Sequence, residues 1–258
     1  MTRKKHTHVD SSGQPIQPVS EAKQKHLDKK AFKKVEAKTP GQQRYIDTIK
    51  NNIISLASSP AGCGKSYIAI GMAIEFLRSG KVEKIIVSRP AVSACGTDQG
   101  YYPGDESQKL HPFLLSLIAE LEHFCTEVEI NKMIANKQLI TVPISLLRGH
   151  NWHNAFVMID ECANLTFREI ELILNRIGGN CRVCLSGDFD QSDLPPHKKG
   201  GFRAFFDILK DMDGVGICHM DRSDIVRSEI IGRIQERIDE YKGEIEISDE
   251  IKEKFIKY

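Results

Sequence analysis

The chain has 258 residues, 40% of them hydrophobic and 28% charged, with a formal net charge of +1. Such a composition suits one globular domain with a sizeable core, and no run approaches the ~18 apolar residues of a membrane-spanning helix. The basic start, Met1 to Gln17, has no apolar stretch behind it, so no secretory signal is expected, and seven scattered cysteines, an odd number, point to free thiols in a reducing cytoplasm.

Residues 1–38 read as a basic arm, with ten Lys/Arg against four Asp/Glu, which leaves the rest of the chain acidic. Two readings of the arm stay open: contact with a nucleic-acid backbone through counterion release, or a solvated tail or exposed helix over 20–36. From residue 39 short apolar runs alternate with longer segments of helical period. The runs 52–58, 84–89, 138–143, 155–160, 182–187 and 214–220 are β-branched and continuously apolar, the pattern of strands buried on both faces. Helices are expected over 66–80, closing at Gly80, over 111–125, over 166–179, where Ile170, Leu172, Ile173, Leu174 and Ile177 group together, and over 223–243. Strands alternating with helices predict an α/β fold: three layers around a mainly parallel sheet, with ligands at the carboxyl ends of the strands. The main domain spans 39–241, and 242–258 forms a short tail of mixed charge, read as an amphipathic helix.

Between the first strand and the first long helix stands Ser58-Ser59-Pro60-Ala61-Gly62-Cys63-Gly64-Lys65-Ser66-Tyr67. The phosphate-cradling pattern G-x-x-x-x-G-K-[ST] asks for glycine where Ser59 stands. Gly62 and Gly64 remain where the backbone must approach phosphate or take positive φ, Pro60 pre-sets a turn dihedral, and a small residue of negative φ can leave the strand at 59. The amides of this loop, residues 60 to 67, would cradle a nucleotide; Lys65 would reach the β- and γ-phosphates and the Ser66 hydroxyl would hold Mg²⁺. A plain glycine-rich turn is the alternative.

Further on, the run 155–160 ends in Asp160 and Glu161. Two carboxylates at a strand end call for a cation, so Asp160 is read as a metal ligand acting through water, and Glu161 as the base for an attacking water. The run 182–187 leads into Gly187-Asp188 and then Gln191, placed to bond a γ-phosphate and the attacking water; a plain loop is the other reading. Cys181 and Cys184 form the one C-x-x-C, which no second pair completes, and they are read as structural thiols.

In this order the motifs resemble the PhoH-like ATPases, whose single RecA-type domain is similar to the first motor domain of superfamily 1 helicases. The resemblance covers about 39–241 and rests on TPGQQRYIDTI, SPAGCGKSYIAIG, VSRPAV followed by GYYPGD, KLHPF, LLRGHNWHNAFVMIDECANLT, LSGDFDQSDLP and SDIVRSEI. It implies a P-loop NTPase fold and Mg²⁺-dependent ATP hydrolysis coupled to RNA or another nucleic acid. It also implies that Gln42 contacts adenine, that Arg227 meets the γ-phosphate charge, and that Arg89 and Arg148 lie near the site or a nucleic-acid path. Since the chain has no room for a second motor domain, Arg227 would serve its own nucleotide or a neighbour's, the latter in the hexameric homo-oligomer that the resemblance suggests.

Two segments depart from the family pattern. After the paired acids the family continues with alanine, glutamine and asparagine, whereas here Cys162, Ala163 and Asn164 follow; VSACGTDQG also differs from an acidic form. A non-catalytic, nucleotide-gated adaptor for an RNA-processing partner is therefore the second functional reading. A small-molecule kinase suits the motifs poorly, and a GTPase is disfavoured because no N-K-x-D segment is found.

Overall fold

The computed structural model describes residues 33–90, 117–142, 144, 151–226 and positions 233, 234, 237, 240 and 241. Each expected apolar run contains a strand: β1 (Ile54–Ser58), β2 (Lys84–Ser88), β3 (Leu139–Thr141), β4 (Ala155–Ile159), β5 (Arg182–Gly187) and β6 (Val215–His219). They form one sheet in the order β3-β2-β4-β5-β1-β6, and every pairing is parallel.

Side chains alternate across this sheet and divide the core in two. Ala57, Ile85, Val87, Phe156, Met158 and Cys184 face one layer, with Tyr45, Ile68 and Met72. Leu56, Ile86, Val157, Ile159, Val183 and Leu185 face the other, with Ile170, Phe202 and Phe206. Helices α1 (Pro40–Asn51), α2 (Lys65–Arg78) and α3 (Glu127–Ala135) cover the first side, and α4 (Phe167–Leu174) and α5 (Gly201–Leu209) the second. The chain is thus a three-layer α/β protein around an all-parallel sheet, as expected. Burial on both faces holds for β1, β2, β4 and β5, but β3 and β6 are only partly covered, since each is an edge strand of the described sheet.

Local signals explain the helix starts. Thr39 caps α1 by accepting from the Gln42 amide, with Pro40 in the first turn, while Thr126 with Glu129 and Thr166 with Glu169 form capping boxes on α3 and α4. Three expected helices change. The 166–179 helix ends at Leu174, because Ile177 bridges to Trp152 instead of continuing the coil. The 223–243 helix begins later than read: Arg222–Asp224 is a 3₁₀ turn, and helical residues are described from position 233. Of 111–125 the described part is helical over 117–121.

Most of the arm, 1–32, and the tail, 242–258, lie outside the described residues. Residues 33–36 are not helical, so an arm helix does not run to 36. Val35 is buried against the first layer and its amide donates to Glu75 Oε1 at 3.1 Å, so packing begins a few residues before 39.

Strand register sets the site. Ser58 on β1 lies level with Gly187 on β5, and Ile159 on β4 level with Leu185, so the loops after these three strands leave the sheet together.

Candidate functional site

The loop after β1 turns through Gly62 (φ 91°) and Gly64 (φ 80°), both left-handed as the pattern requires, and Gly64 caps α2. Ser59 leaves the strand without positive φ: its amide donates to the Gly187 carbonyl at 3.2 Å, and its side chain is buried. The loop is pinned from outside as well. The Cys63 carbonyl accepts from Gln42 Nε2 (3.0 Å), the Gly62 carbonyl from the Val226 amide (3.1 Å), and the Cys63 thiol donates to the Asp221 carbonyl (3.4 Å). The amides of the first turn of α2, Lys65 to Tyr67, have no preceding turn to bond and point out of the loop, the geometry that receives an anion.

Lys65 folds back over this loop. Its ammonium donates to the Ser59 carbonyl (2.7 Å), the Ser59 hydroxyl (3.0 Å) and the Pro60 carbonyl (3.2 Å). Burial pushes its pKa down, and the carboxylates of Asp160 and Asp188 oppose that.

Across the strand ends, the Ser66 hydroxyl donates to Asp160 Oδ2 at 2.7 Å. Asp160 Oδ1 accepts from the Ser186 hydroxyl (2.9 Å) and the Glu161 amide (3.0 Å). Glu161 is left-handed (φ 55°), rare for a side-chain-bearing residue, and its carboxylate lies 3.8 Å from Arg89 Nη2. Burial raises the Glu161 pKa and Asp160 adds to this, against Arg89 and Lys65. A carboxylate shifted toward neutrality beside the phosphate loop suits a proton acceptor.

Asp160 and the Ser66 hydroxyl form a two-point hard-oxygen site. No group of three or more His, Cys, Asp or Glu suited to a metal occurs among the described residues, so a divalent ion here would complete its shell with phosphate oxygens and water. The donor chemistry fits Mg²⁺.

The structure brings Lys65, Ser66, Asp160 and Glu161 together and places Arg89 beside Glu161. Gln191 is exposed on the loop after β5, with its amide on the Asp188 carbonyl. Gln42 is buried, and both ends of its amide are in use: Oε1 accepts from the Lys38 amide (2.7 Å) while Nε2 braces the loop. A contact with adenine would exchange one of these bonds. Tyr67 offers the site only its backbone, because its ring packs on Phe124 at 4.7 Å. Pro60 and Ala61 contribute backbone, and Arg148 and Arg227 lie outside the described residues.

Sequence reasoning missed Ser186 and Asp224. Ser186 lies inside an apolar strand, where a hydroxyl sends no local signal. Buried Asp224 accepts from the Gly41 amide (2.9 Å) and ties α1 to the segment that bonds the loop at Gly62.

The departure after the paired acids is absorbed by packing. Cys162 is fully buried with its thiol on the Ile159 carbonyl, and Ala163 gives its carbonyl to the Ser192 hydroxyl (2.8 Å). Asn164 Oδ1 accepts from the Asp193 amide (2.7 Å), so the acid pair and the Gln191 loop remain joined. Cys181 and Cys184 face opposite sides of the sheet, in separate core clusters, and hold no metal together.

The family model described as PhoH-like protein matches residues 34–239. Among curated proteins, the PhoH-like protein of Synechocystis is 35% identical over 202 residues, 78% of this chain and 61% of that one. The PhoH-like protein of Bacillus subtilis is 32% identical over 80% of this chain and 65% of its own, and Protein PhoH of Escherichia coli 31% over 76% and 56%. The chain thus matches under two thirds of the length of these relatives. One solved structure, the Sulfolobus solfataricus SWI2/SNF2 ATPase core in complex with dsDNA, covers 57% of this chain and 30% of its own at 17% identity and a TM-score of 0.36, too distant a likeness to bear on mechanism.

Proposed function

Because the chain belongs to the PhoH-like protein family, we propose that it binds and hydrolyses ATP with Mg²⁺, in a cycle coupled to binding or remodelling RNA or another nucleic acid. The observation that carries this is the 2.7 Å bond between Ser66 and Asp160, which joins the phosphate loop to the acid pair.

The amides from Gly62 to Tyr67 receive the β- and γ-phosphates, and Lys65 turns from the loop carbonyls onto their oxygens. Ser66 and Asp160 would hold Mg²⁺, which would supply neutralisation of the phosphate charge. Glu161, left-handed at the end of β4 with its carboxylate beside Arg89, accepts the proton of the attacking water. Gln191 follows the γ-phosphate from the neighbouring loop, and Arg227, from this chain or the next in a ring, meets the transferred charge.

Coupling to nucleic acid is supported by the basic arm and by Arg89, which touches Glu161 at the end of β2. Among the described residues six buried free thiols suit a reducing cytoplasm, and no helix is long and apolar enough to cross a membrane.

The test is phosphate release by the full chain across a panel of RNA and DNA oligonucleotides, beside a Glu161→Gln variant. The expected result is turnover in the wild type, a loss of about 10²- to 10⁴-fold in the variant, and retained ATP binding in both. Turnover at background in every condition, with ATP still bound, would favour the adaptor.

A further inference from the structure

Ser59 departs from the glycine that the phosphate-loop pattern asks for, and the hydroxyl it brings is bonded to the lysine that defines the motif. An ammonium has three N–H donors. Those of Lys65 meet three acceptors: two backbone carbonyls, at 2.7 and 3.2 Å, and the Ser59 hydroxyl, at 3.0 Å. A glycine would leave the carbonyls and remove the third acceptor.

The hydroxyl is held for this role. Its proton goes to the Pro60 carbonyl at 3.0 Å, which turns an oxygen lone pair toward Lys65. Ser59 is only 2% exposed, and its amide is fixed on Gly187, so the side chain does not exchange Lys65 for water.

We propose that Ser59 is a positioning residue that holds Lys65 back on the loop in the nucleotide-free protein and thereby weakens and tunes nucleotide affinity. Every donor of Lys65 is occupied before a phosphate arrives, so nucleotide entry must break a bond that a glycine-bearing loop does not have. The hydroxyl touches no reacting atom, so its removal shifts affinity and leaves the chemical step alone. This rests on the reading of residues 60–67 as a nucleotide site, and the test separates the two.

Two measurements on the full chain, with Ser59→Ala and Ser59→Thr beside the wild type, decide it. The first needs no nucleotide: the rate at which an amine-acylating reagent modifies Lys65, followed by peptide mass spectrometry. Ser59→Ala should react several-fold faster, and Ser59→Thr, which keeps the hydroxyl, should match the wild type. The second is ATP binding and turnover with Mg²⁺, where Ser59→Ala should lower Kd and KM about three- to tenfold, the effect of about one hydrogen bond, with kcat within about a factor of two.

An unchanged acylation rate, or an affinity equal to or weaker than that of the wild type, overturns the role of Ser59. Faster acylation of the alanine variant while the wild type binds no nucleotide supports the hold on Lys65 and overturns instead the nucleotide reading of the loop.

Discussion

The Ser66 hydroxyl and Asp160 Oδ2 lie 2.7 Å apart although β5 separates the strands that precede them. Ser186 on that intervening strand bonds the other oxygen of the same carboxylate. The oxygens proposed to hold Mg²⁺ are therefore brought together by the segments at the ends of β1 and β4, with β5 between them. Replacing Ser66 by Ala should raise the Mg²⁺ concentration for half-maximal turnover about tenfold, while ATP binding in EDTA stays near the wild-type level. A Mg²⁺ titration of phosphate release, with calorimetry in EDTA, checks it; equal Mg²⁺ dependence would remove Ser66 from the metal site.

Gln42 braces the loop from below through the Cys63 carbonyl, and a Cβ added to Gly64 would stand 2.9 Å from its Nε2. Gln42→Ala should thus weaken ATP and GTP by a similar factor, about three- to tenfold, because what it disturbs is the phosphate cradle. Competition binding with both nucleotides measures this. A loss confined to ATP would assign Gln42 to reading adenine.

Asp224 is nearly fully buried and accepts from the amides of Gly41 (2.9 Å) and Asp221 (3.1 Å). Its removal should lower stability by about 2–3 kcal/mol, the loss of charge-assisted bonds and a cap. A Cβ on Gly41 would fall 2.1 Å from Asp224 Oδ2, so Gly41→Ala should be as damaging alone and nearly harmless in an Asp224→Ala background. Denaturant midpoints of the two single variants and the double variant test this, and additive losses would contradict it.

Six thiols are buried among the described residues, and burial pushes those of Cys125 and Cys218 up to about 11. Because the thiolate is the nucleophile, raised values and burial both slow reaction at pH 8. In the full chain carrying Cys95→Ser, a disulfide reagent such as Ellman's should release almost nothing over minutes and six equivalents after denaturation. Rapid release from the native protein would contradict the packing around them.

All six strands were legible because buried parallel strands announce themselves as unbroken apolar runs, and the order of motifs along the chain placed Lys65, Ser66, Asp160 and Glu161 correctly on strand ends and a helix start. Helices α1, α3 and α5 were less visible. In α1 the buried residues, Gly41, Gln42, Tyr45, Ile46 and Ile49, include a glycine and a glutamine that no apolar template counts. In α3 only Ile130 and Met133 are buried, and a nine-residue helix gives little period to detect. Ser186, Asp224 and the hold of Ser59 on Lys65 depend on contacts between segments far apart in sequence or on the fold of one side chain, neither of which spacing encodes. The expected burial of β3 and β6 on both faces failed for the same reason, since a strand's place in the sheet is a long-range property.

The most direct test of the central claim is calorimetric titration of ATP with Mg²⁺ into the full chain, beside a Lys65→Ala variant that is equally folded by circular dichroism. The site from Gly62 to Ser66 predicts one ATP bound per chain in the wild type and a loss of affinity of tenfold or more in the variant. Absence of heat in the wild type, or equal affinity in both proteins, would contradict it.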